Sequence, residues 1–543
     1  MLNDEMKMKK IENFKQIIFG VMLFIAVLLL LIFIDKRIDY LLDSDTSSEV
    51  FLGQIMASNN SLITKAWYYS TELRVLGINT VYMLVFKVLT NWHWVRIWSC
   101  IIFYVLMLFS YSMYCKKINL KKYLILSSVL LMIPFSGCYF NFVLIENQYV
   151  PYIVFSFILY GLIESNTAKI RKSLSVLLFC VSLIFSLNGI RQLIVFHLPV
   201  FLSAIIIFVK ANIDKEKINL KETLKSNTFK YLISSLISIF GAFCGYIINA
   251  KILTKIYQFQ DWNNILFSKF DIQKIGLLIN NLLESYGWRT GDVFSTVLIS
   301  NVSCVFFIGL TIVSIVYAIK NSKKVSEEYL HLSLFYLSAI AIFFGLYTCT
   351  NMIIAARYNL PIIVFSIPLI FLFVKEVDFR NKDIMKYKNL ILYILVLILC
   401  ISGLCNYNYW RYTDKTLEKR KIADVLVEKE YFSGYATFWQ ANVVTELSNG
   451  KIDIWSWCDS GDNGEGLKNI TDINTIFEWL QKTCHKNNYP SGKIFLLFTI
   501  DEFNNFNWKN QLEKYNEIIY QSDYYIVYGF DNYDDMIDII KST

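Results

Sequence analysis

Charge is what this sequence has little of. Asp, Glu, Lys and Arg together make up 18% of its 543 residues, whereas 55% are hydrophobic and the mean hydropathy is +0.43. A soluble globular chain carries about a quarter charged residues, so the deficit excludes an ordinary water-soluble protein and points to lipid as the solvent. A single basic patch is also missing. The formal net charge of +8 is scattered in short clusters between apolar runs. That is the pattern of a positive-inside membrane protein, and nucleic acid drops out as a partner. No run has the His/Cys spacing of a zinc site. Most cysteines (Cys100, Cys180, Cys244, Cys304, Cys400) stand singly inside apolar runs, where they read as small packing residues. Cys458 and Cys484 fall in the polar tail, at a spacing that does not require them to pair.

A cleavable signal is not expected either. Lys7, Lys9, Lys10 and Lys15 precede the apolar run 17–34, which ends in Ile34-Asp35-Lys36-Arg37 instead of small residues. A signal peptide has a shorter apolar core and a small-residue cleavage site, so this run reads as a retained first span.

What is present is a series of apolar runs. A span takes about 20 mainly apolar residues, because the hydrocarbon core is about 30 Å thick. Runs 17–34, 94–114, 123–140, 149–163, 173–188, 193–209, 231–250, 295–319, 330–348, 357–374 and 389–405 meet this roughly, which predicts about eleven spans. With the N-terminus inside, the basic clusters 116–122, 169–172, 210–230, 320–324 and 375–388 all fall in the cytoplasm, as the charge rule demands. Two long loops, 35–92 and 251–294, then lie outside, and the odd count places 406–543 outside too. In that tail Leu417 to Lys429 and Ile473 to Cys484 are helix-like. Tyr435 to Trp439, Ile452 to Trp457, Lys493 to Ile500 and Ile518 to Phe530 are strand-like, with a short helix to Ile540. The reading is an α-helical polytopic domain, 1–405, followed by a small soluble α/β domain, 406–543.

The first external loop carries most of the chemistry. It holds Asp43-Ser-Asp45-Thr-Ser-Ser-Glu49 and, further on, Glu72-Leu73-Arg74. A helix over 45–58 puts Asp45 and Glu49 on one face, and the segment also resembles a capped helix start. The functional reading is a carboxylate held at the membrane surface as a general base. The second signal is arginine on the outer side. Arg74, Arg96, Arg191 and Arg357 fall at external span ends, and Arg357 leads into Tyr358-Asn359-Leu360-Pro361. One such arginine is an ordinary interface anchor. Four of them opposite an acidic loop suit an anionic ligand, because guanidinium matches phosphate geometry. Glu146, in a short external turn, either caps a span or lines the same cavity. His93 and His197 stand alone and read as structural. In the tail, Trp439, Trp455 and Trp457 are core residues or sugar-stacking faces.

These features resemble the GT-C class of membrane glycosyltransferases. The resemblance rests on the acidic Asp43-Ser-Asp45 with Glu49 after span one, a juxtamembrane segment near 76–90, and Arg357-Tyr358 followed by Pro361 and Pro368. It covers the topology of residues 1–405. It implies a multi-pass bacterial plasma-membrane enzyme that moves a sugar from a polyprenyl-phosphate donor to a cell-envelope glycan or lipid acceptor outside the cell, with inversion. It implies Asp45 or Asp43 as base, with Glu49 close by, and Arg74, Glu72, Glu146, Arg191, Arg357 and Tyr358 around the donor phosphate. No cluster demands a metal, and a divalent cation stays open. The departure from the simplest family motif, an Asp-Glu pair, leaves the base open among these carboxylates. Rival readings are a polysaccharide polymerase or ligase, a lipid or solute transporter, and a non-catalytic envelope protein.

Overall fold

The computed structural model describes residues 2–70, 73–213, 220–259, 266–291, 296–377, 382–457, 476–506, 508–515 and 517–541. It is mostly helical, with a small sheet near the C-terminus. Among the described residues eight helices are long and apolar enough to cross a membrane: Glu12–Leu41, Trp92–Lys117, Leu193–Ile213, Asn227–Lys255, Thr296–Lys320, Glu327–Cys349, Ala356–Glu376 and Leu390–Tyr412. Each coincides with an apolar run of the sequence. The other three expected runs differ in instructive ways. The run 123–140 is two helices, Lys121–Met132 and Gly137–Ile145, bent by 86°. Pro134 sits at the break, where its missing N–H and its ring end a helix, and the Ser136 hydroxyl restarts it by accepting the Tyr139 amide. The run 149–163 is the helix Val150–Ala168, whose polar end, Glu164-Ser-Asn, dilutes its hydropathy. The run 173–188 is the 15-residue helix Lys172–Ser186, about 22 Å long at 1.5 Å per residue and short of a bilayer core.

The chain divides into two compact units. The first comprises Met1–Phe33, Cys100–Lys251 and Asn263–Tyr412 and holds most of the apolar helices. The second comprises Ile34–Ser99, Ile252–Trp262 and Thr413–Thr543, so the first long loop belongs to the same unit as the tail. The sequence boundary at 405/406 compares with a division at Tyr412/Thr413.

The second unit is built on a five-stranded sheet. Its order is Asp453–Trp457, Ser433–Thr437, Ile494–Thr499, Tyr525–Phe530 and Ile518–Gln521. The first three strands are parallel and the last two join antiparallel. The alternation of a strand buried on both faces is plain in the central one. Ile494, Leu496 and Phe498 pack with Met536 and Ile540, while Phe495 and Leu497 pack with Ile422, Leu426 and Val444 from the helices behind. Two expectations for the tail change. The strand at 435–439 ends at Thr437, and Phe438–Leu447 is helical. In the described part of 473–484 only Thr483 and Cys484 are helical, in the 3-10 turn Thr483–Lys486, while Gln481–Lys482 pairs antiparallel with Trp67–Tyr68; long-range pairing overrides local pattern.

That pairing ties the loop to the tail domain. The loop helix Ser44–Ser58 lies against Ile78–Phe86, the juxtamembrane helix expected near 76–90, with Gly53 at the crossing: a Cβ there would sit 2.6 Å from Tyr82 Cβ. Asn442 Nδ2 donates to Ser48 Oγ at 2.7 Å, and the Ser44 hydroxyl donates to the Trp439 carbonyl at 2.8 Å. His93 reaches Asp39 at 3.0 Å and Asp35 at 3.6 Å, fastening the start of Trp92–Lys117 to the end of the first helix. In the first unit His197 is buried against the Ser238 hydroxyl at 2.9 Å.

Candidate functional site

The acidic loop becomes a helix start with distinct tasks for its carboxylates. Asp43 is the N-cap of Ser44–Ser58, and its Oδ1 accepts from both the Thr46 amide and the Thr46 hydroxyl at 2.8 Å, which satisfies donors a helix leaves open. The residues between the acids, Ser44 and Thr46 to Ser48, are buried. Asp45 and Glu49 are the less buried positions of this segment, one turn apart on a shared stripe. Glu49 Oε1 pairs with Arg74 Nη1 at 3.2 Å. Burial raises the Glu49 carboxyl above the ordinary carboxylate range, Arg74 opposes this, and the Asp45 charge adds to it. Glu72 lies outside the described residues.

Asp43 also shares its surroundings with cations. It acts on Arg96 and on Lys419. Lys419 donates to the Trp439 carbonyl at 2.7 Å. Burial pulls its ammonium down to about 8, although Glu502 and Asp43 oppose the shift. Arg96 itself is not available to a ligand. Its Nη2 is 2.7 Å from Glu446 Oε2 and its Nε meets Oε1, with both side chains buried. Of the four external arginines expected around an anion, Arg96 is instead closed in a buried ion pair, and Arg74 pairs with Glu49.

In the first unit the remaining two arginines come together. Arg357 lies in the short helical turn Ala356–Asn359, held by Ser285, whose hydroxyl donates to the Ala356 carbonyl at 2.8 Å and accepts from Asn359 Nδ2 at 3.3 Å. Pro361 then opens the next helical turn, the position where its fixed φ helps. Arg191 comes just before the π-helical turn Leu193–His197. The Tyr358 ring bridges the two: its centroid is 5.2 Å from the Arg191 guanidinium and 5.7 Å from that of Arg357. Arg191 also lies 5.6 Å from the Tyr152 ring and donates to the Tyr149 hydroxyl at 3.4 Å. Arg357 lies 5.2 Å from Phe142. Tyr149 feels the charge of both arginines. Aromatic faces hold guanidinium groups through the ring quadrupole while leaving their N–H edges directed elsewhere.

Glu146 follows a second π-helical turn, Phe140–Ile145, and is buried, accepting from Asn141 Nδ2. Asn147 after it has φ +58, a conformation Asn tolerates better than most residues. Such π turns often mark functional positions. Sequence reasoning missed the aromatic wall of Phe142, Tyr149 and Tyr152. The signal was there, since Tyr149 and Tyr152 are three apart at a helix start and so share a face.

The tail tryptophans separate clearly. Trp457 is in the core, Trp455 is buried against His485 with ring centroids 4.1 Å apart, and Trp439 is 52% exposed. Cys484 is exposed, and Cys458 lies outside the described residues. Among the described residues no group of three or more His, Cys, Asp or Glu side chains is placed to hold a metal ion. A scan against protein-family models and a search of characterised proteins return no match to this chain.

Proposed function

We propose that this chain is an integral membrane glycosyltransferase that moves a sugar from a polyprenyl-phosphate donor to a cell-envelope acceptor. The work would take place on the external face of a bacterial plasma membrane, with the N-terminus cytoplasmic. The observation that carries the reading is the pair of guanidinium groups, Arg191 and Arg357, 5.2 and 5.7 Å from the Tyr358 ring centroid, with Arg191 donating to the Tyr149 hydroxyl. Two cations held close to one phenol suit a phosphate whose charge grows as the sugar departs.

Asp45, on the half-buried stripe that it shares with Glu49 at the start of the loop helix, is the favoured base. In the reaction a carboxylate base takes the proton of an acceptor hydroxyl as that oxygen bonds to the sugar C1. The C1–O bond to phosphate breaks, its electron pair leaves with the polyprenyl phosphate, and Arg357 and Arg191 hold that charge. The configuration at C1 inverts. Replacing either arginine by Ala is expected to lower transfer from a labelled polyprenyl-phosphate sugar in membranes at unchanged expression. Wild-type rates in the double variant would refute the assignment.

One observation favours a second reading. Glu164 and His331 pair at 3.0 Å deep among the apolar helices, with His331 stacked 3.7 Å from Tyr231. Buried ionisable pairs in membrane helices mark ion and proton paths in transporters. Proton-coupled flux in proteoliposomes that Glu164→Gln abolishes would support a transporter; its absence leaves the pair a structural one.

A further inference from the structure

The second unit contains a cleft of about 520 Å³ that no step of the transfer uses. Its walls come from three stretches far apart in sequence. The loop helix gives Gln54 and Ser58, the segment before Trp92 gives Lys87 and Thr90, and the tail gives Asn449 and Asp453. Its base is aromatic, with Trp92 5.8 Å from Phe51 and 5.4 Å from Phe86 between ring centroids. The size falls within the roughly 300–1,000 Å³ of small-molecule sites.

The cleft is constructed, not incidental. Asn449 and Gly450 are both left-handed, with φ +56 and +74. This double turn lets the Asn449 carbonyl oxygen Oδ1 accept the Trp92 amide at 2.8 Å and lays the Gly450 backbone on the indole, where a Cβ would be 2.8 Å from Cζ2. Asp453 is fixed from two sides. Lys482 Nζ is 2.7 Å from Oδ2 and His485 Nε2 is 3.2 Å from Oδ1. Lys482 also lies 5.0 Å from the Phe51 ring. Burial would raise the Asp453 carboxyl, but His485 and Lys482 together hold it down at about 2, so it is an anion at any physiological pH.

We infer that this cleft binds a short acidic oligosaccharide. Sugars are recognised by an apolar base under their C–H faces and by carboxylate, amide and hydroxyl groups around their hydroxyls; the half-buried Phe86 ring, backed by Trp92 and Phe51, gives the first, and Asp453, Asn449, Gln54 and Thr90 give the second. The lining carries two ammonium groups, Lys87 and Lys482, against one carboxylate, so a glycan with acidic substituents is matched better than a neutral one. The inference shares a ligand class with the transferase reading but not its residues, so each can fail alone.

Binding to the purified full chain in detergent, measured by calorimetry without any donor, reads the cleft by itself. Trigalacturonate and maltotriose serve as the acidic and neutral probes. The expected result is saturable binding of trigalacturonate, at least tenfold tighter than of maltotriose, and weakened at least tenfold by Lys87→Glu and by Gln54→Ala with Thr90→Ala. These positions are on the rim, so melting temperatures should stay at the wild-type value. No saturable binding of either probe, equal binding of both, or binding unchanged in the rim variants would overturn the inference. Arg357→Ala, in the other unit, should leave this binding intact.

Discussion

Arg96 and Glu446, 350 positions apart in sequence, form a buried ion pair with Nη2 2.7 Å from Oε2 and a second contact from Nε to Oε1. Arg96 opens the second apolar helix and Glu446 closes the helix Phe438–Leu447 of the tail domain. The pair therefore joins the first and last parts of the second unit through one two-pronged contact, a geometry suited to guanidinium and carboxylate.

Removing one partner should be far more damaging than removing both. Glu446→Ala leaves a buried guanidinium without its anion, at a cost of about 3–5 kcal/mol, whereas apolar replacement of a whole buried pair is often close to neutral. Thermal unfolding in detergent of Glu446→Ala, and of Arg96→Met with Glu446→Leu, checks this. The single variant should melt well below wild type, and the double variant should recover most of the difference.

Gly450→Ala combines two penalties. It places a Cβ 2.8 Å from the Trp92 ring and forces an L side chain to φ +74. A strained backbone position of this kind costs on the order of 1–3 kcal/mol, and the ring must also move. A melting temperature several degrees lower, with altered Trp fluorescence, is the expected outcome.

The Asp453 carboxyl lies at about 2 in the folded chain, against about 3.9 when unfolded. A depressed carboxylate contributes stability that is present above the unfolded value and is lost as the pH falls toward the folded one. Stability of the full chain should therefore fall between about pH 4 and pH 2, and Asp453→Asn should flatten that part of the curve. Melting temperatures across this range test it.

Glu49 behaves in the opposite sense. Its carboxyl is raised by burial and by Asp45, with Arg74 only partly offsetting this. A raised carboxyl contributes stability that is present below the unfolded value, about 4.3, and is lost as the pH rises through the folded one. Glu49→Gln should therefore match or exceed wild-type stability at pH 7, and its advantage should shrink on acidification. A clearly lower melting temperature for Glu49→Gln at pH 7 would contradict this account.

Much of this architecture was readable from the sequence. Eight apolar runs became long helices because length and hydropathy are local properties, and strands formed at 453–457 and 494–499, while 518–530 folded into two antiparallel strands, Ile518–Gln521 and Tyr525–Phe530. Two kinds of feature were not local. Gln481–Lys482 became a strand because Trp67–Tyr68 lies beside it, and no window of sequence holds both. In sequence Arg96 is an external arginine at a span end like Arg191 and Arg357, and only the fold sets Glu446 opposite it. The acidic loop was legible as a capped helix, but the pairing of Glu49 with Arg74, 25 positions on, was not. The aromatic neighbours of Arg191 and the Asp453 cleft depend entirely on folding.

The central claim is that Asp45 and the Arg191–Arg357 pair act on a polyprenyl-phosphate sugar. The most direct measurement is the transfer of labelled sugar from that donor into the envelope fraction by membranes holding wild-type protein, Asp45→Asn or Arg357→Ala at equal expression. The account predicts transfer by wild type and a loss of at least about 100-fold in Asp45→Asn, the scale of general-base catalysis, with a comparable loss in Arg357→Ala. Full transfer by Asp45→Asn, or none by the wild-type protein with any polyprenyl-phosphate sugar, would contradict it.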